Sequence, residues 1–253
     1  MNTIRGNIKG ALNLERNIAI DETLVKFKGR VGFRQFLPAK PGRFGLKNFT
    51  LSESSSGYVW DLDGYTGKTG HDPQKGLAYH VVRKLVQGLE GKAFNLSVDN
   101  WYSSPQLFQD LAEVGILACR TVRANRKGLP SDIMNLKAKD IKSMKRRQSV
   151  FRQKGHLTAC TWNDNKHVHV LTTMPTTTAS SAITRSVKER EKWTQKKVQR
   201  PSVTELYNQY IGGVDLADQR VRSYQRSTKT WVWYMKLFFY LLEVAIMDAI
   251  LLE

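Results

Sequence analysis

The chain has 253 residues, a size for one large domain or a domain that carries a smaller insertion. Hydrophobic residues make up 41% of it and aromatics 10%, enough for a real core, which excludes a generally disordered chain. A formal net charge of +18 and a pI near 10.0 argue for a polyanionic partner, nucleic acid before membrane.

The charge is uneven. Residues 123–200 hold 19 Lys and Arg against 5 Asp and Glu, net +14 of the +18. Such a basic middle reads as an electrostatic surface attached to a separate site, or as a solvated charged insertion, and the two are compatible. Cys119 and Cys160 have no paired spacing, so neither a disulfide framework nor a zinc module is expected, and a reducing compartment fits. No secretory apolar segment opens the chain. Leu237 to Leu252 is strongly apolar but too short to span a bilayer and is interrupted by Glu243 and Asp248, so a buried helix of a soluble protein is expected.

In chain order, residues 4–16 are a weak helix candidate broken by Gly6 and Gly10. Asn17 to Glu22 is a short apolar strand ending in two acids, and strand alternation points Asp21 and Glu22 to opposite faces. Between Lys26 and Lys47, the residues Lys28, Arg30, Arg34, Lys40, Arg43 and Lys47 stand among glycines, prolines and aromatics. That loop-like stretch suits holding phosphates, or is simply a basic surface loop. Phe44 to Leu51 and Tyr58 to Leu62 read as strands joined by a turn at 52–57. Pro73 to Leu89 carries Leu77, Val81, Val82, Leu85 and Val86 at helical spacing, ended by Gly88 and Gly91.

Phe94 to Val98 is a short buried strand that delivers Asp99 to its C-terminal end. Ser103, Ser104 and Pro105 then start a helix over 105–114, and 116–122 is another strand. An acid at the mouth of a strand is a common place for a catalytic or metal-binding carboxylate. On these residues alone, capping the turn beside Asn100 is the plainer account of Asp99. The order strand, strand, strand, helix, strand, helix, strand is that of an α/β, ribonuclease-H-like core, a mixed sheet with helices on its faces. There the first and fourth strands lie side by side, which would place Asp21 and Asp99 at neighbouring positions.

Residues 123–200 interrupt this order as a basic, β-containing insertion. They hold the basic run Lys137 to Lys154, a hairpin of 157–162 with 167–172, and a Thr/Ser stretch to 181. His167 and His169 share a strand face and in principle bind metal, but without a cysteine partner two solvent-facing histidines are expected. The expected division is therefore core 1–122, insertion 123–200 and C-terminal helices 201–253. Ser202 to Glu205 has the spacing of a capping box. Gly212-Gly213 then precede Asp215 and Asp218, which share one face if 214–225 is helical. They are either site ligands or acids answering the helix dipole. A last helix begins near Trp231, is apolar round most of its circumference, and should pack as a core element.

Mg2+ takes oxygen ligands, and two such ions about 4 Å apart can activate an attacking oxygen and stabilise a leaving one in phosphoryl transfer. Asp21, Asp99 and Asp215, with Asp218 beside the last, are acids from separate elements that suit this task. Their mutual repulsion makes such a cluster costly without metal.

Ile20-Asp-Glu22, Phe27-Lys-Gly-Arg30, Pro38-Ala-Lys-Pro41 and Phe44-Gly-Leu-Lys47 together resemble the opening of the catalytic domain of piggyBac transposases. Asp99-Asn-Trp-Tyr-Ser-Ser104 and Gly212-Gly-Val-Asp215-Leu-Ala-Asp218-Gln219 resemble its second and third acidic motifs. The resemblance runs over nearly the whole chain, with three motifs in order and the charged insertion in its expected place. It implies that Asp21, Asp99 and Asp215 are the catalytic triad and, with Asp218, lie at two Mg2+ or Mn2+ ions. The implied reaction is nicking at transposon ends, strand attack to form a hairpin, and joining into TTAA targets. DNA would be held by Arg30, Lys40, Arg43 and Lys47 and, in the insertion, by Arg123, Arg126, Lys127, Lys145, Arg146 and Arg147. The resemblance further implies action in the nucleus, and a homodimer once flanking regions are supplied. Family members usually carry an N-terminal region for dimerisation and DNA binding and a C-terminal Cys-rich zinc module, neither of which is within these 253 residues. Two alternatives stay open: a truncated or domesticated transposon-derived DNA-binding protein without catalysis, and a metal-dependent nuclease of the same fold that cleaves without joining.

Overall fold

The computed structural model describes residues 2–38, 40, 42–67, 75–102, 104–124, 128–135, 137–175, 180–189, 192–224 and 229–253. They divide into two compact units, one of residues 1–90, 96–98 and 210–253, the other of 91–95 and 99–209.

The first unit opens with α1 (Asn2–Ala11), shorter than the 4–16 expected and displaced toward the N-terminus. β1 (Asn17–Lys26) buries Ile18, Ala19, Ile20, Leu24 and Val25, the near-continuous apolar run of a strand covered on both faces. Next in the chain are β2 (Gln35–Leu37), β3 (Arg43–Glu53) and β4 (Val59–Gly64). β1 runs antiparallel to β3 in a register that sets Asp21 opposite Thr50. β2 and β4 share the other edge of β3, with a slip between Leu51 and Ser52. The stretch read as loop from 26 to 47 therefore contains a short strand. α2 (Gly76–Leu85) lays its stripe of Tyr79, Val81, Val82 and Leu85 toward β3 and β4. β5 (Asn95–Val98) lies next to β1, so the first and fourth long strands are neighbours, as the ribonuclease-H-like order requires.

The second unit continues with a single 3-10 turn (Asn100–Tyr102) and α3 (Pro105–Glu113). Ser104 caps α3 by accepting from the Leu107 N–H at 3.3 Å, with proline in the first turn where its missing donor costs nothing. α3 packs on β6 (Leu117–Val122) through Leu107, Phe108 and Leu111. Each is fully buried, a contribution of about 1.5–3 kcal/mol apiece. Two one-turn helices follow, α4 (Ser131–Met134) and α5 (Lys139–Lys142), then β7 (Ser149–Lys154), β8 (Leu157–Asn163) and β9 (His167–Thr172). β6, β9, β8 and β7 pair antiparallel in that order.

Two expectations for this region change. His169 does not face solvent: it is buried, bonds the Thr161 hydroxyl at 2.8 Å, and burial lowers its pKa. Its neighbours in the sheet, rather than its own strand pattern, decide that. The segment after residue 180 forms a long antiparallel ribbon of β10 (Ser180–Glu189) and β11 (Lys192–Pro201) that sequence periodicity did not announce. Among its described side chains only Val198 and Pro201 are buried, so no apolar alternation marks it. α6 (Ser202–Tyr210) then leads back to the first unit.

There α7 (Gly213–Tyr224) packs on β1 and β3, and α8 (Trp233–Ile250) packs on α7, α1 and β1. α8 buries Leu237, Tyr240, Leu241, Val244 and Met247 but leaves Tyr234, Met235, Phe238, Ile246 and Ile250 exposed. It thus packs into the core, but through one side only. Among the described residues no helix is long and apolar enough to cross a membrane.

Candidate active site

In the first unit three carboxylates meet at one ammonium. Lys40 Nζ lies 3.6 Å from Asp215 Oδ1, 3.9 Å from Asp218 Oδ2 and 4.0 Å from Asp21 Oδ2. The two-residue period of β1 places Asp21 and Thr23 on the face toward α7, while Glu22 turns away and pairs with Lys47 at 3.1 Å. The start of α7 is set by two glycines. A Cβ on Gly213 would meet the Ser54 Cα at 2.9 Å, and Gly57, at φ +72°, leaves room for the Ala217 N–H. Arg220 donates to the Ser56 carbonyl and Ser54 Oγ to the Tyr210 carbonyl at 2.8 Å, which fixes α7 to the turn after β3. Asp215 and Asp218, three apart, then project from one helical face.

Electrostatics within the cluster are uneven. Burial raises Asp21 to about 7, opposed by Lys40 and by the Glu22 N–H that donates to its Oδ1 at 2.8 Å. Burial also raises Asp218, opposed by Lys40 and the Thr23 hydroxyl, while Asp215 is largely exposed. Asp218 Oδ1 accepts from Thr23, and its Oδ2 is buried without a hydrogen-bond donor.

Asp99 belongs to the second unit, directly after Val98, and its side chain is exposed. Its carbonyl accepts from the Tyr102 N–H at 3.1 Å, so its main chain opens the 3-10 turn. The following residue is clamped. The fully buried Arg120 donates through Nη2 to Asn100 Oδ1 at 2.7 Å and to the Asn100 carbonyl at 3.1 Å. Tyr207 lies near enough for the Asp99 charge to help raise its pKa, after burial.

The family model described as Transposase IS4 matches residues 1–250. The chain belongs to the IS4 transposase family. Within it the chain is related to piggyBac: it is 30% identical over 244 residues to human piggyBac transposable element-derived protein 3, covering 93% of this chain and 40% of that protein. To human piggyBac transposable element-derived protein 2 it is 26% identical, covering 93% and 40%. A solved structure, described as a piggyBac transposase synaptic complex with hairpin DNA, matches with a TM-score of 0.79 at 25% identity, over 95% of this chain and 47% of that one. The chain spans less than half the length of these relatives.

The basic residues of this transposase-family domain separate by environment. Arg30, Arg43 and Arg123 are exposed, whereas Lys47 is committed to Glu22 and stacks 4.6 Å from the Phe49 ring centre, and Lys40 to the acids. Lys145, Arg146 and Arg147 line a cleft of about 650 Å³ whose far wall is Lys197 and Gln199 of β11. Arg146 also donates to Asn165 at 2.5 Å. Arg126 and Lys127, like Ser103, lie outside the described residues.

A transposase-family domain implies a divalent metal, and the donor set suits a hard cation. Asp21, Asp215 and Asp218 offer only carboxylate oxygens, one of them buried and lacking a donor. Among the described residues, however, no three acidic, His or Cys side chains form a ready-made ligand group, and the positive charge beside them is that of Lys40 and, at Asp218 Oδ2, of Arg222 Nη2 at 3.6 Å. Thr23, Lys197, Arg120 and Tyr207 were not singled out from sequence. Only the Lys-Lys pair at 196–197 gave a signal, and it sat in a stretch without apolar pattern.

Proposed function

We propose that this domain is the catalytic core of a piggyBac-like DNA transposase that cleaves DNA and joins it at TTAA sites with divalent metal. The observation that carries this reading is the meeting of Asp21 from β1 with Asp215 and Asp218 from α7 at one cation, in a chain of a transposase family. Asp21, Asp99, Asp215 and Asp218 are the residues that would hold two Mg2+ or Mn2+ ions. Bound there, such ions supply an activated oxygen and neutralise charge on the transferring phosphoryl group. The chain's own part is to orient: β1 and α7 hold their acids from opposite ends of the sequence, and Arg120 steadies the turn that carries Asp99. No side-chain nucleophile is required.

DNA as partner is supported by the cleft of Lys145, Arg147 and Lys197 and by the relative solved with hairpin DNA. The division into core 1–122, insertion 123–200 and C-terminal helices 201–253, a nuclear location, and a homodimer formed with flanking regions are parts of the same proposal. A second reading, DNA binding without chemistry, is favoured by the Lys40 contacts, which offset part of the acids' charge with no metal. The deciding experiment incubates the domain, and its Asp21→Asn and Asp99→Asn variants, with Mn2+ and a duplex bearing a TTAA junction. Metal-dependent cleavage by the wild type alone, with DNA binding retained by all three, supports catalysis. Binding without cleavage in all three supports the second reading.

A further inference from the structure

Lys40 is held in place by more than charge. Its N–H donates to the Leu37 carbonyl at 3.1 Å, and its own carbonyl accepts from the Arg43 N–H at 3.0 Å. Lys40 is thus anchored through both its own N–H and its own carbonyl, and its side chain, about one-fifth exposed, reaches into the acids. None of its three carboxylate distances is that of a single strong hydrogen bond, which falls at about 2.7–2.9 Å for charged partners. The ammonium instead lies 3.6–4.0 Å from three oxygens, attracted by all three carboxylates rather than paired with one. Asp218 Oδ2, on a side chain more than nine-tenths buried, has no hydrogen-bond donor and is shared electrostatically between Lys40 at 3.9 Å and Arg222 Nη2 at 3.6 Å, whereas Asp21 and Asp215 meet Lys40.

We propose that Lys40 is the resident counter-ion of the acidic cluster, that it must leave for a divalent ion to take the same oxygens, and that DNA phosphate receives it when it does. This rests on the metal-site reading above. Mg2+ binds carboxylate oxygens at about 2.0–2.1 Å, so such an ion and the ammonium compete for the same space and the same charge. Once displaced, Lys40 stands beside a site that has gained positive charge and is repelled from it. The anion available to it is a phosphate of bound DNA. Metal and DNA therefore raise each other's affinity through one side chain, and the coupling is reciprocal. Without DNA the ammonium stays among the acids and the cluster binds metal weakly.

The test titrates Mn2+ by calorimetry into the wild type, Lys40→Met and Lys40→Arg, each with and without a short duplex, and records melting temperatures in metal-free buffer. Lys40→Met is expected to bind Mn2+ at least tenfold more tightly than the wild type without DNA, and to gain little when DNA is added. Lys40→Arg keeps the charge and should follow the wild type. Lys40→Met should also melt lower than the wild type without metal and recover with Mn2+. If it does not fold, Lys40→Gln, which keeps an amide donor, carries the same comparison. Equal Mn2+ affinity in wild type and Lys40→Met overturns the counter-ion role while the metal site stands. No Mn2+ binding by any variant overturns the metal-site reading, and this inference with it.

Discussion

Thr23 Oγ1 donates to Asp218 Oδ1 at 3.0 Å, tying β1 to α7 across 195 positions of sequence. Thr50 Oγ1 donates in turn to Thr23 Oγ1 at 3.1 Å, so a chain of two hydroxyls from neighbouring strands ends on a buried carboxylate. Thr23→Val keeps the shape and removes the donor. It should cost about 1–3 kcal/mol, because the carboxylate oxygen stays buried without its partner. Thr50→Val, which strips only the outer hydroxyl, should cost less. Urea denaturation that ranks the two variants the other way would show that Asp218 does not depend on Thr23.

Glycines at two helical positions should respond oppositely to the same substitution. Gly213→Ala drives a Cβ to 2.9 Å from the Ser54 Cα and 3.0 Å from the Glu53 carbonyl, both backbone, so the start of α7 must shift. Overpacking of this kind costs about 1–3 kcal/mol. Gly6→Ala, inside α1 with open space around it, should stabilise by about 0.5–1 kcal/mol. Thermal melts of the pair check this. A neutral Gly213→Ala would mean that α7 is not pressed against the end of β3.

Stability should decline with rising pH. Burial raises Asp248 from 3.8 to about 7, opposed by the Val59 N–H that donates to it at 3.0 Å, and burial likewise raises Asp21 to about 7. A carboxyl whose folded pKa is raised keeps a proton that the unfolded chain has already lost. Its contribution is therefore full below the unfolded value and is lost as pH climbs through the folded one. The window runs from near pH 4 to near pH 7. Asp248→Asn removes one of the two groups and can still accept from Val59, so it should melt above the wild type at pH 8 and show a shallower decline. Identical melting temperatures at pH 8 would mean that Asp248 ionises without penalty.

Reversing charge at Lys145, Arg147 and Lys197 together should weaken DNA binding at every sequence and flatten its salt dependence. On duplex DNA the slope of log affinity against log salt changes by about 0.9 for each phosphate that is no longer neutralised. Reversal at Lys154, at the exposed end of β7 and outside the cleft, serves as the control. Equal slopes for the two variants would mean that DNA phosphates sit elsewhere on the surface.

Local pattern was enough for much of this protein. The apolar run of 17–22, the stripe of 77–86, the Ser104-Pro105 cap and the Gly-Gly before Asp215 each carry their element in adjacent residues, and the strand and helix order they spell led to β1 beside β5. Local pattern failed where a residue's fate depends on what arrives from far along the chain. β10 and β11 have polar faces and exist because they pair with each other. α8 is apolar round most of its circumference, so only packing on α1, α7 and β1 decides which side is covered. His169 is buried by the strands next to it. Lys40 read as a phosphate ligand from its basic company, yet it turns inward because α7 brings Asp215 and Asp218 to the strand that carries Asp21. Periodicity records how a segment meets its immediate neighbours. The potential at a point in space sums charges from segments nearly 200 residues apart, and only the folded chain sets that sum.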